Sequence, residues 1–238
     1  MDLALATRVS LLNGFALERG RPEALMAIND LPRSVQRLVA HLILSGCSCR
    51  TAIAGQLWPD VFEDHAQGSL RSVLWRLQKT VPGLVDLSGG ELRLAQDVRV
   101  DVRELEDWSL RVLDPHANVD DVVLPALALH GELLPGWYDD WVLFERERLR
   151  QLRVHALEML AGKLVNVGRY GEAVQIAHSA VLADPLRESA HRVLVRVYLA
   201  EGNVVQALRA YDSFRKMLAD ELGVAPTALM EKLVRQEV

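Results

Sequence analysis

Cysteine is nearly absent. Cys47 and Cys49 are the only two in 238 residues, which excludes a disulfide framework and falls short of a tetrahedral zinc site. Both are expected as small buried hydrophobes. Aromatic residues make up only 5% of the chain. No apolar run approaches the roughly 18 residues that a bilayer span requires, and an acidic residue at position 2 argues against a secretory leader. A cytoplasmic protein with no membrane partner is therefore expected. A phosphate-cradling loop of the GxxxxGK[ST] kind is missing. His41 and His65 have no Cys or Ser beside them to activate, and Asp139-Asp140 falls at a helix start, where capping accounts for it. Catalysis, a metal and a cofactor are accordingly not expected.

What is present is ordinary globular material, 50% hydrophobic and 25% charged, long enough for two modest domains. The net charge of −5 is unevenly spread. Residues 1–100 hold 11 Lys+Arg against 10 Asp+Glu, whereas residues 101–238 hold 16 against 22. A locally basic surface can still attract phosphate, because charges are screened over about 8 Å at physiological salt.

The stretch Asp64–Val81 organises the first hundred residues. Ala66, Leu70, Val73, Leu74, Leu77 and Val81 recur at helical spacing and make one buried stripe. At about 100° per residue, His65, Gly68, Ser72, Trp75, Arg76 and Lys79 project the other way, flanked by Ser69 and Arg71. That outer face reads as three cations, one large aromatic and no carboxylate, unlike a solvated face of mixed sign.

Its neighbours give it a context. Arg8 to Met26 reads as short strands with turns at Asn13-Gly14 and Arg19-Gly20, followed by an irregular stretch from Ala24 to Asp30. A helix starts at Leu31-Pro32 and carries Val35, Leu38, Val39, Leu42 and Ile43 to Ser45-Gly46. A second is capped by Ser48 or Thr51 and ends at Trp58-Pro59. After the third helix the period drops to 2, with Val85 and Leu87 facing Leu92 and Leu94 across Ser88-Gly89-Gly90-Glu91, a β-hairpin. Sheet, three helices and hairpin is the order of a winged helix, whose third helix enters the major groove while the hairpin lies along the backbone. Lys79, Arg50 and Arg93 are then candidates for phosphate, as is the Thr51 end of the second helix. Arg71, Ser72, Trp75 and Arg76, with Ser69 on the flank, are candidates for base edges.

From Asp101 the pattern is helical, with apolar stripes over Val102–Leu113 and Val122–Leu133. A long helix runs from Asp139 or Asp140 to about Val167, and its Glu145-Arg146-Glu147-Arg148 run reads as a solvated face. Leu157, Leu160, Leu164, Ala173, Ala177 and Ala180 are matched 34 residues later by His191, Leu194, Tyr198, Ala207, Tyr211 and Phe214. Gly168 and Gly202 share that offset. Thirty-four is the tetratricopeptide period, and a last helix from about Pro226 to Arg235 would cap the stack. Such repeats present a surface to a protein, and this acidic half is expected to repel DNA.

The fold class expected is mainly α with a small β component, a winged helix over 1–100 and an all-α TPR-like domain over 101–238. The chain resembles the SARP family of bacterial antibiotic-pathway regulators, in which an OmpR-type winged helix precedes a bacterial transcriptional activation domain. The likeness is carried by Leu57-Trp58-Pro59-Asp60, by Gly68–Leu77, and by Leu133-Leu134-Pro135-Gly136-Trp137 with Trp141 and Glu145–Leu149. It extends through Ala183–Glu188 and from Leu199 to Val224. The resemblance implies a short-form activator, since no ATPase region or sensor repeats follow residue 238. It implies binding to direct repeats of double-stranded DNA, with a possible homodimer there, and recruitment of RNA polymerase through its sigma factor and other subunits. The competing reading is a protein-binding adaptor whose winged helix makes no DNA contact; the basic outer face of the third helix discriminates, since an adaptor has no need of it.

Overall fold

A computed structural model describes residues 6–46, 49–88, 90–122 and 131–236. Compactness divides the chain into two units, Met1–Glu104 with Gly131–Glu147, and Leu105–His130 with Arg148–Val238. In the first unit the elements are β1 (Ala6–Ser10), β2 (Ala16–Arg21), β3 (Ala24–Ala27), α1 (Arg33–Leu44), α2 (Arg50–Leu57), α3 (Glu63–Thr80), β4 (Val85–Ser88), β5 (Glu91–Leu94) and β6 (Val98–Val100). The sheet runs β3-β2-β1-β6, with β6 parallel to β1, and β4-β5 is a separate hairpin. This is the winged helix expected from the order of elements.

Two local readings are corrected. Arg19-Gly20 is not a turn: both residues lie inside β2, with Gly20 opposite Ala6 and Leu25. Glycine is required there because a Cβ would sit 2.3 Å from the Ala24 carbonyl oxygen, and the chain reverses at Pro22-Glu23 instead. Ala24–Ala27, read as irregular, is a regular strand. Asn13-Gly14 does turn, with φ of 65° and 125°. The three-residue β6 escaped notice because so short a strand has no readable period.

Past β1, the N–H groups of Leu11 and Leu12 have no strand opposite them. They donate instead to the Asp101 carboxylate at 2.9 and 2.9 Å, and Val102 N–H joins them at 2.7 Å. Asp101 is only 1% exposed. The next residues bond to the 131–137 segment: Asn13 N–H to Glu132 O at 2.8 Å, and Leu134 N–H to Leu11 O at 2.9 Å. Leu134 is buried in a left-handed conformation, φ 43°, uncommon for a residue with a Cβ. The guanidinium of Arg146 holds that segment in place, donating to the carbonyls of Leu133, Leu134 and Trp137 at 2.8, 2.8 and 3.0 Å. Arg146 is thus not part of a solvated face as its charged neighbours suggested. A planar fork satisfies three carbonyls where a lysine could not.

The same segment packs against α1. Trp137 stacks on Phe15 with ring centroids 6.4 Å apart, and the Arg33 guanidinium lies 3.6 Å over its indole. One turn on, Arg37 donates to Asp139 at 2.5 Å. Another turn on, buried His41 meets Trp141 edge to face and donates from Nε2 to Gln56 Oε1 at 2.5 Å.

The second unit contains α4 (Asp101–Leu113) from Leu105 onward, a 3-10 turn (Val119–Asp121), α5 (Asp140–Asn166) from Arg148 onward, α6 (Tyr170–Ala183), α7 (Glu188–Ala200), α8 (Val204–Leu222) and α9 (Ala228–Gln236). The apolar stripe read over Val122–Leu133 lies largely outside the described residues. The 34-residue repeat is real in space: α5-α6 and α7-α8 are successive helical hairpins turning at Gly168 and Gly202, with φ of 76° and 81°. Small residues close the crossings, with Ala173, Ala177, Ala180 and Ala207 all buried. His191 stacks on Phe214 at 4.0 Å and donates from Nε2 to the Pro185 carbonyl at 2.8 Å. Arg187 ties α7 to α5 through Glu158 Oε1 at 2.9 Å and Gln151 Oε1 at 2.6 Å. Glu188 accepts the Thr227 N–H at 2.8 Å, just ahead of α9.

Two outcomes follow from these contacts. Asp101→Ala strands three buried amide donors and should destabilise the chain by about 3–5 kcal/mol, read as a lowered midpoint in urea. Burial holds His191 below its ordinary pKa, and His41 likewise. The unfolded chain therefore takes up protons first, so stability is fullest above about pH 6.5 and falls as pH drops below it. Thermal melts from pH 7.5 to 5 should show that decline, and His191→Gln should flatten it.

Candidate nucleic-acid interface

The local sequence of α3 explains how its outer face is held. Ala66, Leu70, Val73 and Leu77 are buried against the unit's core, and α3 packs on both α1 and α2. Glu63 and Asp64 occupy the first turn and Lys79 the last, each with the sign that the helix dipole favours. The helix is thus fixed by its inner stripe, leaving the outer side chains no structural duty.

Arg71, Ser72, Trp75, Arg76 and Lys79 are all exposed on that side, and Trp75 stands 65% in solvent. Arg71, Ser72, Trp75 and Arg76 line one open hollow of about 420 Å³. The Lys79 ammonium lies 5.3 Å from the Trp75 ring centroid, close enough for a weak cation–π attraction that steadies both. Ser72 donates its hydroxyl to the Gly68 carbonyl at 3.1 Å, leaving the oxygen's lone pairs as acceptors. Arg71, Arg76 and Lys79 enter no ion pair among the described residues, whereas Arg146, Arg169 and Arg187 are each held by carboxylates.

A second, polar hollow of about 560 Å³ runs beside the N-terminal half of α3, lined by Ser34, Trp58, Asp64, His65, Gly68, Ser69, Ser72, Val73 and Arg76. Half-buried Ser69 belongs here rather than with Arg71. Asp64 also belongs here, so this side of α3 is not free of carboxylate as the helical projection suggested. Ser34 and Trp58 were not foreseen. They come from α1 and the end of α2, and nothing in their local sequence announces that they meet α3.

The remaining candidates lie on other elements. Arg50 and Thr51 are the first residues of α2, Arg50 half-buried and Thr51 exposed. The cap residue is Cys49, with no side-chain cap bond, so Thr51 lies within the helix and is not its cap; Ser48 and Cys47 fall outside the described residues. Cys49 is exposed, contrary to the buried role expected of it. Its thiol is drawn below the ordinary cysteine range by the amides of Ala52 and Thr51. Arg93 is exposed on β5, but its guanidinium is bound to Glu91 at 2.6 Å. A backbone bridge between Cys49 and Glu91 brings the start of α2 to the hairpin.

Residues 100–237 match the bacterial transcriptional activator domain. The regulatory protein AfsR of Streptomyces coelicolor is 31% identical over 215 residues, covering 85% of this chain and 21% of its own length. AfsR of Streptomyces griseus is 30% identical over 222 residues, covering 85% and 22%. The chain thus spans about a fifth of the length of the curated relatives it matches. Mycobacterium tuberculosis EmbR, solved in complex with a low-affinity phosphopeptide, has the same fold at TM-score 0.75 and 18% identity, over 98% of this chain and 65% of its own. The fold and the matched region define a transcriptional regulator, and the chain belongs to the bacterial transcriptional activator domain family as a regulator of the SARP type. Among the described residues no helix is long and apolar enough to cross a membrane.

Proposed function

We propose that this regulator is a cytoplasmic, sequence-specific DNA-binding activator. Residues 1–100 bind direct repeats upstream of a promoter, with two copies side by side, and residues 101–238 recruit RNA polymerase through its sigma factor and other subunits. The observation that carries the reading is the set of exposed cations Arg71, Arg76 and Lys79 on one side of α3, with no carboxylate partner among the described residues. Cations left unpaired on a helix held only by its opposite stripe suit phosphate and guanine edges. A pure adaptor has no use for them.

The side chains divide the work. Arg71 and Arg76 meet base edges in the major groove, Ser72 and Ser69 offer shorter polar contacts, and Trp75 covers thymine methyls. Lys79, Arg50 and the Thr51 amide at the start of α2 meet phosphate. Arg93 reaches the backbone from the wing once Glu91 releases it.

Replacing Arg71 or Arg76 by Ala should cost about 1–3 kcal/mol on the preferred site and little on random duplex. Lys79→Ala should weaken both alike and reduce the salt slope of log K by about 1. Quantitative gel shifts on both duplexes at several salt concentrations measure this; equal losses on both duplexes for the two arginines would remove them from base readout. Glu91→Gln frees Arg93 and removes a repelling charge, so affinity for all duplexes should rise roughly twofold to fivefold in the same assay.

A further inference from the structure

Glycine weakens an α-helix relative to alanine, so a glycine at a helical position asks for a cause. Gly68 is the sixth of the eighteen residues of α3. Neither of the usual causes applies. It lies in regular helix rather than at a positive φ, and among the described residues a Cβ would meet only the Arg71 guanidinium, whose Nη2 stands at an ordinary contact distance of 3.7 Å. Gly20, by contrast, is demanded by the 2.3 Å approach of a carbonyl oxygen. Packing among the described residues does not call for a bare backbone at Gly68.

Its position on the helix is the informative feature. Gly68 projects nearly opposite the buried Ala66, Leu70, Val73 and Leu77 and shares its ridge with Ser72 and Trp75, four and seven residues on. The ridge is low at Gly68 and Ser72, whose hydroxyl is tied back to the Gly68 carbonyl at 3.1 Å. It rises at Trp75, which stands in solvent. The Arg71 guanidinium leans back beside the low stretch, as long side chains on a helix do. Ser72 and Arg76 line both hollows along α3, so the low stretch borders each of them.

We infer that the duplex seats on α3 at Gly68, where the missing side chain lets base-pair edges come against the helix backbone. The inference rests on the DNA-binding reading above and adds the residue that sets depth. A helix about 10–12 Å across nearly fills a major groove about 12 Å wide, so the side chains facing the groove floor decide how far it enters. A methyl group at position 68 holds the helix off by its own thickness, and Arg71 and Ser72 lose reach together. Gly68 is a positioning residue, acting on base recognition through its neighbours.

The test uses the full chain, the duplex it selects from a random pool, and a scrambled duplex of the same length and composition. Gly68→Ala should weaken binding to the selected duplex about threefold to tenfold and Gly68→Leu roughly thirtyfold or more, with less than about a twofold change on the scrambled one. Neither should melt below the unaltered protein, and Gly68→Ala should melt about 2–4 °C above it. Gly162→Ala is the control. Gly162 also lies within a helix, α5, with no atom within 4 Å of where a Cβ would stand, so this change should raise the melt and leave both duplexes bound as before. Unchanged or tighter binding of the selected duplex by Gly68→Ala overturns the inference, as do equal losses on both duplexes. So does weaker binding that comes with a lower melt, since the glycine would then serve the fold. Failure of the unaltered chain to bind any duplex would sink the DNA-binding reading and this inference with it, whereas the other outcomes leave that reading standing.

Discussion

The carboxylate of Asp101 is the contact on which the first unit depends. Where β1 ends, the chain continues into residues whose amide hydrogens have no strand to receive them, and an unpaired buried N–H costs about 1–3 kcal/mol. Asp101, at the head of α4, takes those of Leu11 and Leu12 and the amide of Val102 beside it. The following amide and carbonyl pair with residues 132–134. One buried side chain thus joins the end of β1 to the start of α4, and the backbone beside it pairs with the segment that lies on α1. Arg33, Arg37 and His41, spaced four apart on α1, then meet Trp137, Asp139 and Trp141 in order. α1 also packs against α3.

Charge is used in two distinct ways. Arg146 and Arg187 are drawn inward, each satisfying several acceptors at once and defining how helices and loops join. Arg71, Arg76 and Lys79 are left on a helix whose position they do nothing to maintain. A side chain with no structural duty can change without loss of fold, so the outer face of α3 is free to vary. Overall charge obscures this division, because the excess of acid lies in residues 101–147, whereas residues 148–238 hold 13 Lys+Arg against 10 Asp+Glu.

The residues that carry the family likeness turn out to be mostly those that hold the fold. Trp137 is wedged between Phe15 and Arg33. Arg146 supports the left-handed Leu134. Arg187 and Glu188 bind α5 and the approach to α9. A motif shared for packing identifies a protein well and says little about its target.

Periodicity alone determined α3 and its buried stripe, the hairpin β4-β5, the long α5 and the 34-residue repeat with glycine at both turns. Each rests on neighbours within a few residues, and local spacing records such neighbours faithfully. The separation of three exposed cations from the apolar stripe of α3 was legible for the same reason. Tertiary structure alone decided that Gly20 lies inside a strand, that Arg146 is a half-buried clamp within a run of charges, and that Ser34 and Trp58 border α3. It also decided that residues 131–147 join the winged helix. Those outcomes depend on partners tens of residues away, and a side chain's local pattern is the same whether a distant carbonyl or water satisfies it.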